Sequence, residues 1–179
     1  MHLSKSKNLF LVGPMAVGKT TIGKMLAREL HLQFIDSDQE IEDKAGAEIS
    51  WIFDVEGEPG FRDRESSVID ELTQRSGILL ATGGGSILRK ENRRKLQSRG
   101  IVVFLDTSLE TQIKRTEKDK KRPLLQNSDP RKVLSDLKEQ RDPLYQEVAD
   151  IKMFVGNNST RKTVTGILQQ LKTDGLVKE

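Results

Sequence analysis

Short apolar runs rich in β-branched residues alternate along the 179 residues with stretches whose apolar positions recur at helical spacing. Runs at Asn8–Val12, Gln33–Asp36, Ile78–Ala81, Ile101–Leu105 and Ile151–Val155 have the length of buried strands and predict five of them. Between them the period changes. Ile22, Met25, Leu26 and Leu30 lie on one face of a helix, and Phe61, Val68, Ile69 and Leu72 form a second such stripe. Two more helical stretches run from Arg131 to about Gln140 and from about Arg161 to Leu171. Strands alternating with helices predict βαβ units, hence an α/β fold with a mostly parallel sheet, helices on both faces and right-handed crossovers. No repeat or linker divides the chain, so residues 1–179 read as one domain. The long polar stretch from Lys118 to Asp129 lacks an apolar stripe and reads as a functional lid or a disordered loop.

Composition narrows the classes. Hydrophobic residues make up 35% and charged residues 32%, and the longest apolar runs, Leu9–Val12 and Ile101–Leu105, are far too short to span a bilayer. No signal-peptide core follows Lys5 and Lys7, and no cysteine is present, which excludes disulfides and thiolate metal sites and makes a reducing cytoplasm the expected compartment. The 30 Lys and Arg are nearly balanced by 27 Asp and Glu, and only Lys114 to Arg122 concentrates basic charge. A small polyanion such as a nucleotide explains that balance better than nucleic acid does. The absence of a long exposed apolar stripe points to a monomer.

Gly13-Pro14-Met15-Ala16-Val17-Gly18-Lys19-Thr20 joins the first strand to the first helix. In such a loop successive backbone N–H groups turn inward around phosphates, Gly13 and Gly18 permit the backbone angles, and the helix N-terminus faces the same anion. Lys19 is expected at the β- and γ-phosphates and the Thr20 hydroxyl on Mg²⁺. The pattern alone specifies a nucleoside triphosphate, not which reaction follows.

Asp36-Ser37-Asp38 closes the second strand, at the rim where open α/β sheets bind ligands. If the strand continued, both carboxylates would share a face, one holding Mg²⁺ and the other orienting an acceptor hydroxyl. Ser37-x-x-Glu40 is equally a helix capping box. Gly83-Gly84-Gly85 after the third strand presents bare backbone N–H groups or is simply a flexible turn. Arg122, in the polar stretch, suits charge neutralisation on a moving phosphoryl group, while Arg62 and Arg141 suit an acceptor carboxylate. Taken singly, an arginine is more often a solvated surface charge, and spacing does not show that these converge.

Together with Glu56-Gly57-Glu58-x-x-Phe61-Arg62, Arg122-Pro123-Leu124-Leu125 and Arg141-x-Pro143-Leu144-Tyr145, these motifs in this order resemble the shikimate kinases, in their bacterial single-domain form, over roughly Asn8 to Leu171. The resemblance implies ATP-dependent phosphorylation of an alcohol, the 3-hydroxyl of shikimate. The products would be shikimate 3-phosphate and ADP, on the route to chorismate and the aromatic amino acids. It implies a P-loop kinase fold: a three-layer sandwich with a five-stranded parallel sheet in the order 2-3-1-4-5 and a mobile lid over roughly residues 112–129. The implied nucleotide set is Gly13, Ala16, Val17, Gly18, Lys19, Thr20 and Thr21, with Arg122 from the lid and Asn158, near Asn157, by the adenine. The implied acceptor set is Asp38, Arg62, Gly83, Gly84, Gly85 and Arg141, with Lys19, Asp38 and Arg122 in catalysis and Thr20 and Asp36 organising Mg²⁺. The chain departs from related loops, which often carry a further glycine before Gly-Lys, by having Ala16-Val17, where the branched Val17 narrows the backbone options. The alternatives are a related kinase for gluconate or a nucleoside monophosphate, or a nucleotide-switch or nucleic-acid-binding protein that hydrolyses triphosphate slowly.

Overall fold

The computed structural model describes residues 2–3, 8–117, 129–156 and 159–178. Its centre is β2 (Leu9–Val12), all four of whose residues are fully buried; β1 (His2–Leu3) precedes it. There follow α1 (Lys19–Glu29), β3 (Gln33–Asp36), α2 (Ser37–Ala45), α3 (Ile49–Gln74) and β4 (Ile78–Ala81). Then come α4 (Lys90–Arg99), β5 (Ile101–Asp106), α5 (Leu109–Thr116), α6 (Pro130–Val148), β6 (Ile151–Phe154), α7 (Thr160–Thr173) and β7 (Val177–Lys178). The main sheet is parallel with strand order β3-β4-β2-β5-β6, which is the expected 2-3-1-4-5 when its five strands are counted in chain order. The short β1 and β7 pair antiparallel in a separate ribbon.

Alternation along β2 separates two cores. Leu9 and Leu11 pack with Ile22 and Leu26 of α1 and Val164, Ile167 and Leu171 of α7. Phe10 and Val12 face the other way, against Ile41 of α2, Phe61, Val68, Ile69 and Leu72 of α3, Leu96 of α4 and Tyr145 and Val148 of α6. Both predicted stripes therefore point inward. Helix α4 carries no such stripe: beside Leu96 in the core it is held by ion pairs, Lys95 and Arg99 with Asp70 and Arg93 with Glu147, while Arg89 just before it pairs with Asp63.

Two elements differ from expectation in ways that shape the site. Helix α6 runs past Gln140 to Val148 in spite of Pro143, which cannot donate the hydrogen bond a helix needs there. Tyr145 stacks on Phe104 of β5 at 5.1 Å, and burial of Tyr145 and Val148 offsets that loss. The extension brings Arg141 onto the helix. In α3, Gly57 adopts a left-handed φ of 69°, so the helix bends there into two arms, with Pro59 opening the second.

Candidate active site

The carboxyl ends of β2, β3 and β4 open on one rim, and two adjoining cavities lie there. One, about 200 Å³, is lined by Met15, Ala16, Gly18–Thr21, Asp36, Asp38 and Ala81–Gly84. The other, about 110 Å³, is lined by Met15, Asp38, Ile49, Phe53, Phe61, Arg62, Glu65, Gly83–Gly85 and Arg141. Met15, Asp38, Gly83 and Gly84 belong to both walls.

Gly13, with φ of 147°, passes so close to β5 that a Cβ would stand 2.3 Å from the Leu105 carbonyl oxygen. Gly18, with φ of 102°, caps α1 without a side chain. Lys19 Nζ donates to the Gly13 and Pro14 carbonyls at 2.7 and 2.8 Å, bridging the loop across the place expected for phosphate. The backbone constraint expected at Val17 falls one residue earlier. Ala16 has the left-handed φ of 61°, whereas Val17 is fully buried in the α1 core and anchors the loop there.

The helix cap expected at Ser37 falls one residue earlier. The strand stops at Asp36, which is itself the cap of α2: its Oδ1 accepts from the Asp38 and Gln39 amides at 2.9 and 3.3 Å. Its Oδ2 accepts from the Thr20 hydroxyl at 3.1 Å. Ser37, expected as the cap, is instead buried, and its Oγ accepts from the Gly83 amide at 3.0 Å. Asp38 reaches the site from the first turn of α2 rather than from a continued strand. Hydroxyl and carboxylate oxygens beside a phosphate loop are the hard donors that Mg²⁺ takes along with substrate phosphates, so Thr20 and Asp36 fit that ion. No cluster of three or more acidic or histidine ligands occurs among the described residues.

The triple glycine is required by close approach. A Cβ on Gly83 would lie 2.6 Å from Asp38 Oδ1, and one on Gly85 would lie 2.4 Å from both terminal nitrogens of Arg62. On Gly84 it would stand 3.4 Å from Arg141 Nη1 and 3.6 Å from the Tyr145 hydroxyl, which donates to the Gly84 carbonyl. The two arginines therefore do converge, at 8% and 6% exposure, on either side of one glycine turn. Arg141 Nε is buried without a hydrogen-bond partner among the described residues.

Glu65 was not legible as a site residue, because it is one acidic position on a long helix. It is 1% exposed and accepts from Arg62 Nη1 at 2.8 Å, while its Oε2 has no hydrogen-bond partner among the described residues. Burial pushes the Glu65 carboxyl up to about 7, opposed by Arg62 and reinforced by the Asp38 charge. Burial would lower the Arg62 pKa, but Glu65 and Glu58 together hold it above its usual value. Arg62 thus stays charged while Glu65 keeps its proton to near neutrality. Burial also raises the Tyr145 phenol.

Of the remaining expectations, Thr21 lines the larger cavity. Arg122 and Asn158 lie outside the described residues. So does most of the expected lid, whose first residues, Gln112 to Thr116, form the end of α5.

The cleft thus places the loop expected to cradle phosphate beside a small pocket holding two buried arginines and two carboxyls. The family model described as shikimate kinase matches residues 15–172. A shikimate kinase of Alteromonas mediterranea is 56% identical over 169 residues, 94% of this chain and 99% of its own. One of Vibrio parahaemolyticus is 54% identical over 170 residues, 95% of this chain and 99% of its own. The solved shikimate kinase of Acinetobacter baumannii in complex with shikimate superposes with a TM-score of 0.93 at 50% identity, covering 97% of each chain. An ordered set of motifs, a strand order and matches along nearly the whole length agree, and the chain belongs to the shikimate kinase family.

Proposed function

We propose that this protein transfers the γ-phosphoryl group of ATP to the 3-hydroxyl of shikimate, each substrate taking one of the two adjoining cavities. The observation that carries the reading is their shared wall: Asp38, Gly83 and Gly84 border both the phosphate cradle and the arginine-lined pocket. A hydroxyl seated beside Asp38 would meet the terminal phosphate across that wall.

In this reading the loop N–H groups and the α1 N-terminus receive the phosphates, and Lys19 leaves the Gly13 and Pro14 carbonyls to neutralise the transferring group. Arg62 and Arg141 grip the shikimate carboxylate, and Gly83–Gly85 admit the ring where any Cβ would collide with the side chains that hold it. Asp38 orients the hydroxyl and accepts its proton as the oxygen attacks phosphorus; the bond to the β-phosphate oxygen breaks and ADP leaves with the electron pair. Thr20 and Asp36 are the residues that would hold Mg²⁺, which would offset the charge of the phosphates. Arg122 keeps its role at the moving phosphoryl group on the strength of its sequence motif, and Asn158 its place by the adenine on the family resemblance alone. A cytoplasmic monomer is the state proposed. In support, the exposed large apolar side chains among the described residues are Trp51, Val55 and Phe154, and no helix among them is long and apolar enough to cross a membrane.

The test is ADP release from ATP with shikimate, gluconate or AMP supplied in turn. Release with shikimate and neither alternative is expected. Release with AMP but not shikimate would overturn the acceptor while leaving a kinase, and release without any acceptor would favour a nucleotide switch.

A further inference from the structure

Two side chains of α5 reach the phosphate loop, and neither belongs to the motifs that marked the site. Gln112 Nε2 donates to the Met15 carbonyl at 3.1 Å, and Arg115 Nη1 donates to the Ala16 and Val17 carbonyls at 3.0 and 3.2 Å. With Lys19 on the Gly13 and Pro14 carbonyls, every carbonyl oxygen from residue 13 to residue 17 has a side-chain donor. Held by Gln112 and Arg115, the Met15, Ala16 and Val17 carbonyls leave the N–H groups of the same peptides to turn toward the phosphate side. When Lys19 turns to a phosphate its two carbonyls lose it, and the three that stay held are those held from α5.

Those three bracket the constrained position. The Met15 carbonyl belongs to the peptide plane before Ala16 and the Ala16 carbonyl to the plane after it, so donors on both fix φ and ψ of Ala16. Its φ of 61° is one that a side chain bearing a Cβ disfavours. Gln112 gives up something to serve there. It is 2% exposed, and its Oε1 is buried with no hydrogen-bond partner among the described residues. An apolar side chain of similar volume would fill the space without that orphaned oxygen, so the gain from the amide lies in the loop.

We propose that Gln112, seconded by Arg115, is a positioning residue for the nucleotide: it holds the left-handed turn at Ala16 so that the loop is shaped for phosphate before ATP arrives. The inference rests on the reading of residues 13–20 as the ATP loop and adds a residue that the reading does not contain. Preorganisation of this kind appears in nucleotide affinity and not in acceptor affinity.

Gln112→Met keeps the volume and removes the donor. ADP titrated into the variant should bind about fivefold more weakly than into the wild type, with the KM for shikimate unchanged. Adding Ala16→Gly to Gln112→Met should recover most of the loss, because glycine adopts the left-handed turn without help. Rescue at a different residue is what a merely structural role would not give. Unchanged ADP affinity, an equal rise in the shikimate KM, or no recovery by glycine would each overturn the proposal. If Gln112→Met fails to fold, Gln112→Asn, which withdraws the same amide by one methylene, carries the same readouts. A wild type that binds no ADP would instead overturn the ATP-loop reading itself.

Discussion

The proposed phosphate cradle is one contiguous segment, residues 13–20, which would offer a ligand its backbone N–H groups, Lys19 and the Thr20 hydroxyl. The adjoining pocket proposed for the acceptor gathers Asp38 from α2, Arg62 and Glu65 from α3, the glycine turn after β4, and Arg141 from α6. The first half is made by local conformation, with positive φ at Gly13, Ala16 and Gly18, and is held from outside by donors on its carbonyls. The second is made by the fold, with Arg62 engaged by Glu58 and Glu65 on its own helix. A site of backbone can therefore be specified by spacing. A site of converging charged side chains needs every supporting element to be in place.

Substitutions can divide the two halves. Asp38→Asn touches their shared wall and should give the largest effect, a fall in kcat of about a thousandfold, with ATP binding retained in calorimetry. A fall below tenfold would remove Asp38 from the proton's path. Lys19→Met should lower kcat by about a hundredfold through the phosphate side alone, leaving shikimate affinity in place. Near-normal turnover would break the cradle reading. Gly85→Ala should act only on the acceptor side, since its Cβ would displace the Arg62 guanidinium. A rise in the shikimate KM of about tenfold with an unchanged ATP KM is expected from weakening one charged hydrogen-bond pair. Equal changes in both would mean that the turn serves the whole cleft.

The smallest effect concerns the pocket's own charge. The folded protein keeps the Glu65 proton to about pH 7, whereas an ordinary glutamate releases it near 4.5. Across that window the folded state binds more protons than the unfolded chain, so raising the pH removes stability. Glu65→Gln cannot lose that proton. Urea unfolding of the two proteins should therefore show the wild type losing about 1 kcal/mol or more relative to Glu65→Gln between those limits. Parallel profiles would place the Glu65 proton elsewhere.

This asymmetry also decides what the sequence made legible. The five strands appear where short apolar runs predict them, because a buried parallel strand needs little beyond its own side chains. Helices α2, α4 and α5 were not singled out: α5 shows few apolar positions, and α4 is docked largely through ion pairs, which leave no periodic stripe. The continuation of α6 through Pro143 depends on Phe104, far away in the chain, and local rules argue against it. In the site, Gly13–Thr20 was readable from the residues themselves, while the convergence of Arg62 and Arg141 was reached only through resemblance. Glu65 had no signal, and Gln112 and Arg115 fell only within the implied lid, with no motif of their own. Each acts through a partner distant in sequence or through an ordinary helical position, and burial sets Glu65 and Gln112 apart.

The most direct test of the account is a calorimetric comparison of wild type and Arg141→Ala, with shikimate and ADP titrated separately into each. Shikimate affinity should fall at least about tenfold in the variant, through loss of a charged hydrogen-bonding partner for its carboxylate, while ADP affinity stays the same. Unchanged shikimate affinity, or an equal fall for both ligands, would contradict a cleft divided between a backbone cradle for ATP and a charged pocket for shikimate.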